Sequence, residues 1–242
     1  MYYSFCGRDV FYNYIDRGSA SVLVCLHGWG RSSEDFAEFI KMFDDRSILV
    51  IDFPPFGDSK FEPLGWTVFS YASMVISLCE HLNISSCDIL GHSFGGRIAV
   101  IISAIKCSFV HSCILVDSAG MKPQRSISYR INKIKYRFDK FLKRDLSSYG
   151  SADYKALSPQ MKEVFKNIVG VYLEDYAKEI KSKTLIVWGR NDKETPVYMA
   201  KRLNKLIKNS QLQILDECGH FCFMEKKLEF FYHINEFLKE QQ

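Results

Sequence analysis

The sequence predicts an α/β fold: a doubly wound, mostly parallel eight-stranded sheet with a small helical cap inserted after the sixth strand. Three observations point there. Short apolar runs such as Ser21–Leu26 and Thr184–Trp188 recur along the chain, and near-continuous apolar strands are those covered on both faces of a parallel sheet. These runs alternate with segments of helical length, as in strand–helix–strand crossovers. Between one strand and one helix stands Gly91-His92-Ser93-Phe94-Gly95, a Gly-x-Ser-x-Gly turn of the kind that holds a serine strained, with its hydroxyl exposed.

In chain order, residues 1–16 read as two strands around the turn Cys6-Gly7-Arg8-Asp9. Ser21–Leu26 is a buried strand, and a helix over 33–44 leads to the strand Ile48-Leu49-Val50-Ile51. A helix around 66–82 precedes the strand Cys87–Leu90, the serine turn and an apolar helix from Gly96. Cys113–Val116 is the sixth strand. After a long insertion come the strand Thr184–Trp188, a helix near 196–207, the strand Gln211–Leu215 and a closing helix near 224–239.

A chain of 242 residues, 47% hydrophobic, buries one sizeable core, so residues 1–120 and 181–242 are expected to form one core with 121–180 as its cap. The start, Met1-Tyr2-Tyr3-Ser4-Phe5-Cys6, lacks a basic stretch followed by an apolar run, so no signal peptide is read. No apolar stretch approaches the ~18 residues of a membrane span. Cys25 and Cys113 lie inside apolar runs where free buried thiols are common, so reduced cysteines and a cytoplasmic location are expected. A net charge of +4 is too mild to imply nucleic-acid binding.

A serine in such a turn needs a base to take its proton and an acid to orient that base. With this kind of elbow the acid and then the histidine follow the serine, each after a later strand. Asp192, in Trp188-Gly189-Arg190-Asn191-Asp192, and His220, in Asp216-Glu217-Cys218-Gly219-His220, stand just past strand ends in that order. Taken alone, Asp192 reads as a turn former or helix cap. Asp117, also at a strand end, is the rival acid. His81, His111 and His233 occupy helical or helix-flanking positions, and His92 is expected to point away from the serine. The crowded Cys218-x-His220-x-Cys222 spacing matches no usual zinc pattern. Two backbone N–H donors for an oxyanion are assigned to Phe94, after the serine, and to Trp29, in the loop His27-Gly28-Trp29-Gly30. Trp29 is also expected to wall the pocket, and His27 to brace its loop.

These segments together, across essentially residues 5–240, resemble the α/β-hydrolase superfamily, of the serine-esterase type with a helical cap. Asp52-Phe53-Pro54-Pro55-Phe56-Gly57-Asp58-Ser59 is similar to that family's Asp-x-Pro-Gly-x-Gly-x-Ser loop, with Pro55 in place of glycine, implying a stiffer or differently bent loop. The resemblance implies a carboxylic ester or thioester hydrolase with a small to medium acyl substrate and neither metal nor cofactor. Carbon–carbon bond hydrolases of the family usually carry a small residue where Trp29 stands. A non-catalytic receptor on the same scaffold is the reading from another class.

Within the insertion, Ile127, Ile131, Ile134, Phe138 and Leu142 recur at helical spacing. Residues 121–145 carry nine Lys or Arg against Asp139 and Asp145. A charged helix face is usually only solvated. The alternative is a face for an acidic substrate, an anionic membrane surface or an anionic carrier protein, as in carrier-protein methyl ester esterases. Ser158-Pro159 starts a second helix, with Met161, Val164, Phe165 and Ile168 inward and Gly170 ending it.

Overall fold

The computed structural model describes residues 1–124, 154–155 and 157–240. The basic, amphipathic segment expected around 127–142, and with it Arg130, Lys133 and Arg137, lies outside the described residues.

Eight strands form one sheet: β1 (Tyr2–Phe5), β2 (Arg8–Ile15), β3 (Val22–Leu26), β4 (Ser47–Ile51), β5 (Cys87–His92), β6 (Val110–Val116), β7 (Lys183–Gly189) and β8 (Ser210–Leu215). Their order is β1-β2-β4-β3-β5-β6-β7-β8. The pairings β1–β2 and β2–β4 are antiparallel, and those from β4 through β8 are parallel, as the apolar runs predict. The β1–β2 turn is tighter than expected. Cys6 and Gly7 alone turn the chain, both with positive φ, and Arg8 already pairs with Phe5.

Alternation along each strand sends side chains to two cores. Val24, Leu26, Ile89 and Leu115 face one layer, which contains α2 (Val68–His81) and α3 (Phe94–Ile105). Leu23, Cys25, Leu90 and Val116 face the other, with Phe36, Phe39, Phe230 and Ile234. The expected helix over 33–44 is a single 3-10 turn, Ser33–Phe36, running into the short α1 (Ala37–Ile40), although Phe36, Phe39, Ile40 and Phe43 turn inward at helical spacing.

Between β6 and β7 the described residues form α4 (Pro159–Val169) and α5 (Glu174–Glu179). Ser158 caps α4 by accepting the Met161 N–H at 3.2 Å, and Met161, Val164 and Ile168 are buried as expected. Arg97 of α3 holds that unit down: its buried guanidinium donates to the carbonyls of Ile168 (3.1 Å) and Val171 (2.7 Å). The chain ends with α6 (Tyr198–Leu206), α7 (Cys222–Glu225) and α8 (Lys227–Lys239). His111 lies in β6, not in or beside a helix, because Ser112 is buried there with its hydroxyl donating to Asp88 at 2.6 Å. Among the described residues no helix is long and apolar enough to cross a membrane.

Strand order reverses direction at β3, since β4 lies on one side and β5 on the other. In such sheets the crevice beyond the carboxyl ends of the strands at the reversal is where ligands are bound. The loops after β3 and β5 carry Trp29 and Ser93.

Candidate active site

Ser93 is pinned by its backbone before its side chain is considered. It sits between β5 and α3 at φ 50° and ψ −108°, a conformation costly for a residue with a Cβ. Its N–H donates to Val116 O and its carbonyl accepts from Ala119 N, both at 3.0 Å, so the neighbouring strand over-determines the strain. Gly95 is what lets α3 approach: a Cβ there would overlap the Leu26 carbonyl of β3. As the first residue of α3, Phe94 has a backbone N–H without an intrahelical acceptor.

The loops after β7 and β8 bring the other two residues in. Arg190 N donates to Leu215 O and Asn191 N to Cys218 O, both at 2.9 Å, joining the Asp192 turn to the strand and loop that lead to His220. His220 Nδ1 lies 2.8 Å from Asp192 Oδ2, and His220 Nε2 lies 2.9 Å from Ser93 Oγ. With Nδ1–H donating to the carboxylate, the Nε2 lone pair is left to accept the serine hydroxyl. Burial is the largest influence on His220 and would depress it. The hydrogen bond and charge of Asp192, with Glu194 and Asp117 nearby, outweigh burial and hold the imidazole above its ordinary value. Asp192 is buried too, which alone would raise it, yet hydrogen bonds from His220 and Thr195 leave its carboxyl below the usual range.

Asp192 also behaves as the turn former its sequence context suggests. Oδ1 accepts the N–H groups of Glu194 (2.8 Å) and Thr195 (3.0 Å), while Oδ2 faces His220. The rival Asp117 is turned elsewhere. One of its oxygens accepts Gly189 N–H at 2.8 Å, the Cys222 thiol lies beside the carboxyl, and burial outweighs both to push it up to about 7.

His27 and His92 are the other buried imidazoles of the site. His27 donates Nδ1–H to Gly28 O at 2.7 Å and accepts Phe53 N–H at Nε2 (2.8 Å), bracing the Trp29 loop to the Asp52 loop. His92 turns from the serine hydroxyl and donates Nε2–H to the His220 carbonyl at 2.7 Å. Burial, then the charge of His220, drives His92 down to about 3, so it stays neutral.

The Trp29 loop runs against the elbow, for a Cβ on Gly28 would lie 3.5 Å from Ser93 Cβ. The Trp29 ring meets Phe56, Phe94 and Phe165 edge-on, at centroid distances of 4.9, 5.4 and 5.3 Å, so α4 contributes to the same aromatic wall. Asp52 shapes the loop opposite by accepting Ser33 N–H (2.7 Å) and Asp58 N–H (2.9 Å). Gly57 at φ 56° passes where any Cβ would overlap that carboxylate. The Pro54–Pro55 bond is cis.

Two residues near the base were not foreseen. Thr195 donates its hydroxyl toward Asp192 Oδ2 (2.6 Å) and Asp117 O (3.0 Å). Its place three residues after an aspartate suits a side-chain-to-backbone turn, the signal that points to it. Glu194 places Oε2 3.3 Å from His220 Nε2, and nothing local in the sequence distinguishes it from a solvated loop glutamate.

Comparisons with known proteins match this architecture. A family model described as alpha/beta hydrolase fold matches residues 21–151 and 144–227. The chain is 27% identical to the uncharacterized hydrolase YugF of Bacillus subtilis, across 96% of this chain and 95% of that protein. It is 24% identical to the 2-hydroxy-6-oxo-2,4-heptadienoate hydrolase of Pseudomonas putida, across 93% and 92%. The crystal structure of the enol-lactonase from Burkholderia xenovorans superposes with a TM-score of 0.78, at 19% identity, covering 99% of this chain and all of that one. The family model spans well over half of the chain and agrees with the eight-stranded sheet and the strand-end site, so the chain is an α/β hydrolase: it belongs to the alpha/beta hydrolase fold family.

Proposed function

We propose that the protein is a serine hydrolase that cleaves a carboxylic ester or thioester through an acyl-enzyme. The observation that carries this reading is the continuous contact Ser93–His220–Asp192, at 2.9 and 2.8 Å, on a strained strand–helix turn. Neutral His220 takes the Ser93 proton at Nε2 as Oγ attacks the acyl carbon. The oxyanion is held by the backbone N–H groups of Phe94 and Trp29. The imidazolium, steadied by Asp192, returns the proton to the leaving oxygen or sulfur, and water then repeats the sequence on the acyl-enzyme. The wall of Trp29, Phe56, Phe94 and Phe165 suits a small to medium apolar acyl group. The basic segment 121–145 is proposed as the face toward an anionic carrier or acidic substrate. Charge reversal at Arg130, Lys133 and Arg137 should then slow hydrolysis of an acyl-carrier substrate and spare a neutral ester.

A second reading is a carbon–carbon bond hydrolase, favoured by the named activity of the Pseudomonas putida relative. A series of p-nitrophenyl esters from acetyl to dodecanoyl separates the two when run beside a ring-cleavage product. Turnover of an ester that Ser93→Ala abolishes, with fluorophosphonate labelling of Ser93, supports the ester reading. Turnover of the ring-cleavage product alone transfers the assignment to the second. Failure of every substrate and of labelling leaves only the receptor reading.

A further inference from the structure

Glu194 reaches the reacting side of the imidazole. Its Oε2 lies 3.3 Å from His220 Nε2, the nitrogen that faces Ser93 Oγ at 2.9 Å. The other nitrogen is held by Asp192, so one ring stands between two carboxylates, one buried and one 66% exposed. The Glu194 main chain is tied to the same carboxylate, its N–H donating to Asp192 Oδ1 at 2.8 Å.

We propose that Glu194 is a positioning residue for the base: it captures the Nε2–H of the His220 imidazolium and leaves Nε2 to Ser93 when the ring is neutral. The inference rests on the Ser93–His220–Asp192 reading and deepens it. A neutral ring presents a lone pair at Nε2, which the serine hydroxyl can serve and a carboxylate cannot. A protonated ring presents one hydrogen to two acceptors, and the carboxylate is the stronger because its bond is charge-assisted on both sides. Acid therefore disarms the site twice, by removing the base and by drawing Nε2–H away from the serine. During turnover the imidazolium formed when the Ser93 proton arrives meets the same anion before passing that proton to the leaving group.

His220 is faced by titratable and polar groups from several elements. Asp192 and Thr195 meet Nδ1, Asp117 lies behind Thr195, and His92 is neutral with its ring 4.9 Å away. Of the carboxylates, Glu194 alone is solvent-facing, so its influence can be removed without disturbing the buried set.

The test compares wild type with Glu194→Gln in two measurements: the pH dependence of kcat/KM on a neutral p-nitrophenyl ester, and the His220 ring titration by NMR. The expected result is an acid-limb midpoint lower by about half a pH unit in the variant, the size of one partly exposed charge pair. The shift should shrink in about 1 M salt, where screening falls to a few ångströms. A superimposable profile and ring titration overturn the proposal. If Ser93→Ala keeps full ester turnover, the underlying reading has failed instead, and the NMR titration still decides the Glu194 contact because it needs no turnover.

Discussion

Thr195 gives its hydroxyl to the Asp192 oxygen that also receives His220, at 2.6 Å from Oδ2. The same hydroxyl lies 3.0 Å from the Asp117 carbonyl, and the Trp188 indole N–H donates to the Thr195 carbonyl, so the threonine is fixed from three sides. Thr195→Val preserves shape and removes the donor. Hydrogen bonds to charged groups contribute about 1.5–3 kcal/mol, and about 1.4 kcal/mol of lost transition-state stabilisation is tenfold in rate. The expected outcome is roughly a tenfold fall in kcat/KM, measured on the best p-nitrophenyl ester. A rate equal to wild type would show that Asp192 does not depend on this donor.

The pH profile follows from the direction in which His220 is moved. Its folded-state value is raised, and only the neutral ring can act as a base. Activity should therefore rise with pH and reach half its plateau above about 6.5. The linked stability term has the opposite sense. It is fully present below the unfolded value and lost as pH rises through the folded one. Rates measured between about pH 5 and 9 check this, and a flat profile contradicts the role of His220.

Asp117 carries a separate linkage. Burial raises its carboxyl from 3.8 to about 7, so the folded chain holds a proton there that the unfolded chain has released. Stability from this group is present at acid pH and is lost as pH rises toward about 7. Asp117→Asn keeps an acceptor for the Gly189 N–H and removes the titration. Melting temperatures at about pH 5 and 8 should differ more in wild type than in the variant. Equal differences would place the proton elsewhere.

Gly95→Ala should be among the most damaging single changes. The added methyl overlaps the Leu26 carbonyl, which is backbone and cannot step aside as a side-chain tip can. A cost of about 3 kcal/mol is expected, at the upper end for overpacking. Chemical denaturation of the purified variant measures it, and a loss under about 1 kcal/mol would mean that the elbow yields more easily than its contacts imply.

Much of this molecule was legible because its constraints are local. A strand buried on both faces is mostly apolar, so β3, β4, β5 and β7 were visible as runs. Ser93 and Asp192 were legible because each follows such a run, and His220 because it follows the alternating edge strand β8. β6 was read short because Ser112, though buried, is polar and is satisfied by Asp88, a partner 24 residues away in sequence. The helix expected over 33–44 was read long because apolar spacing reports which side chains turn inward, not whether the backbone winds continuously between them. Glu194 was missed because its meaning lies entirely in the position of Nε2, on a loop 26 residues further along the chain.

The reference that sets the location of the Ser93 hydroxyl is main chain rather than side chain. Ser93 is registered to Val116 and Ala119 through peptide groups, and its helix is seated on the Leu26 carbonyl through a glycine. Drift in the surrounding aliphatic core therefore changes how tightly the scaffold is filled before it changes where the hydroxyl points. The Ser93 hydroxyl is thus placed by the peptide backbone and not by the aliphatic core that supports it.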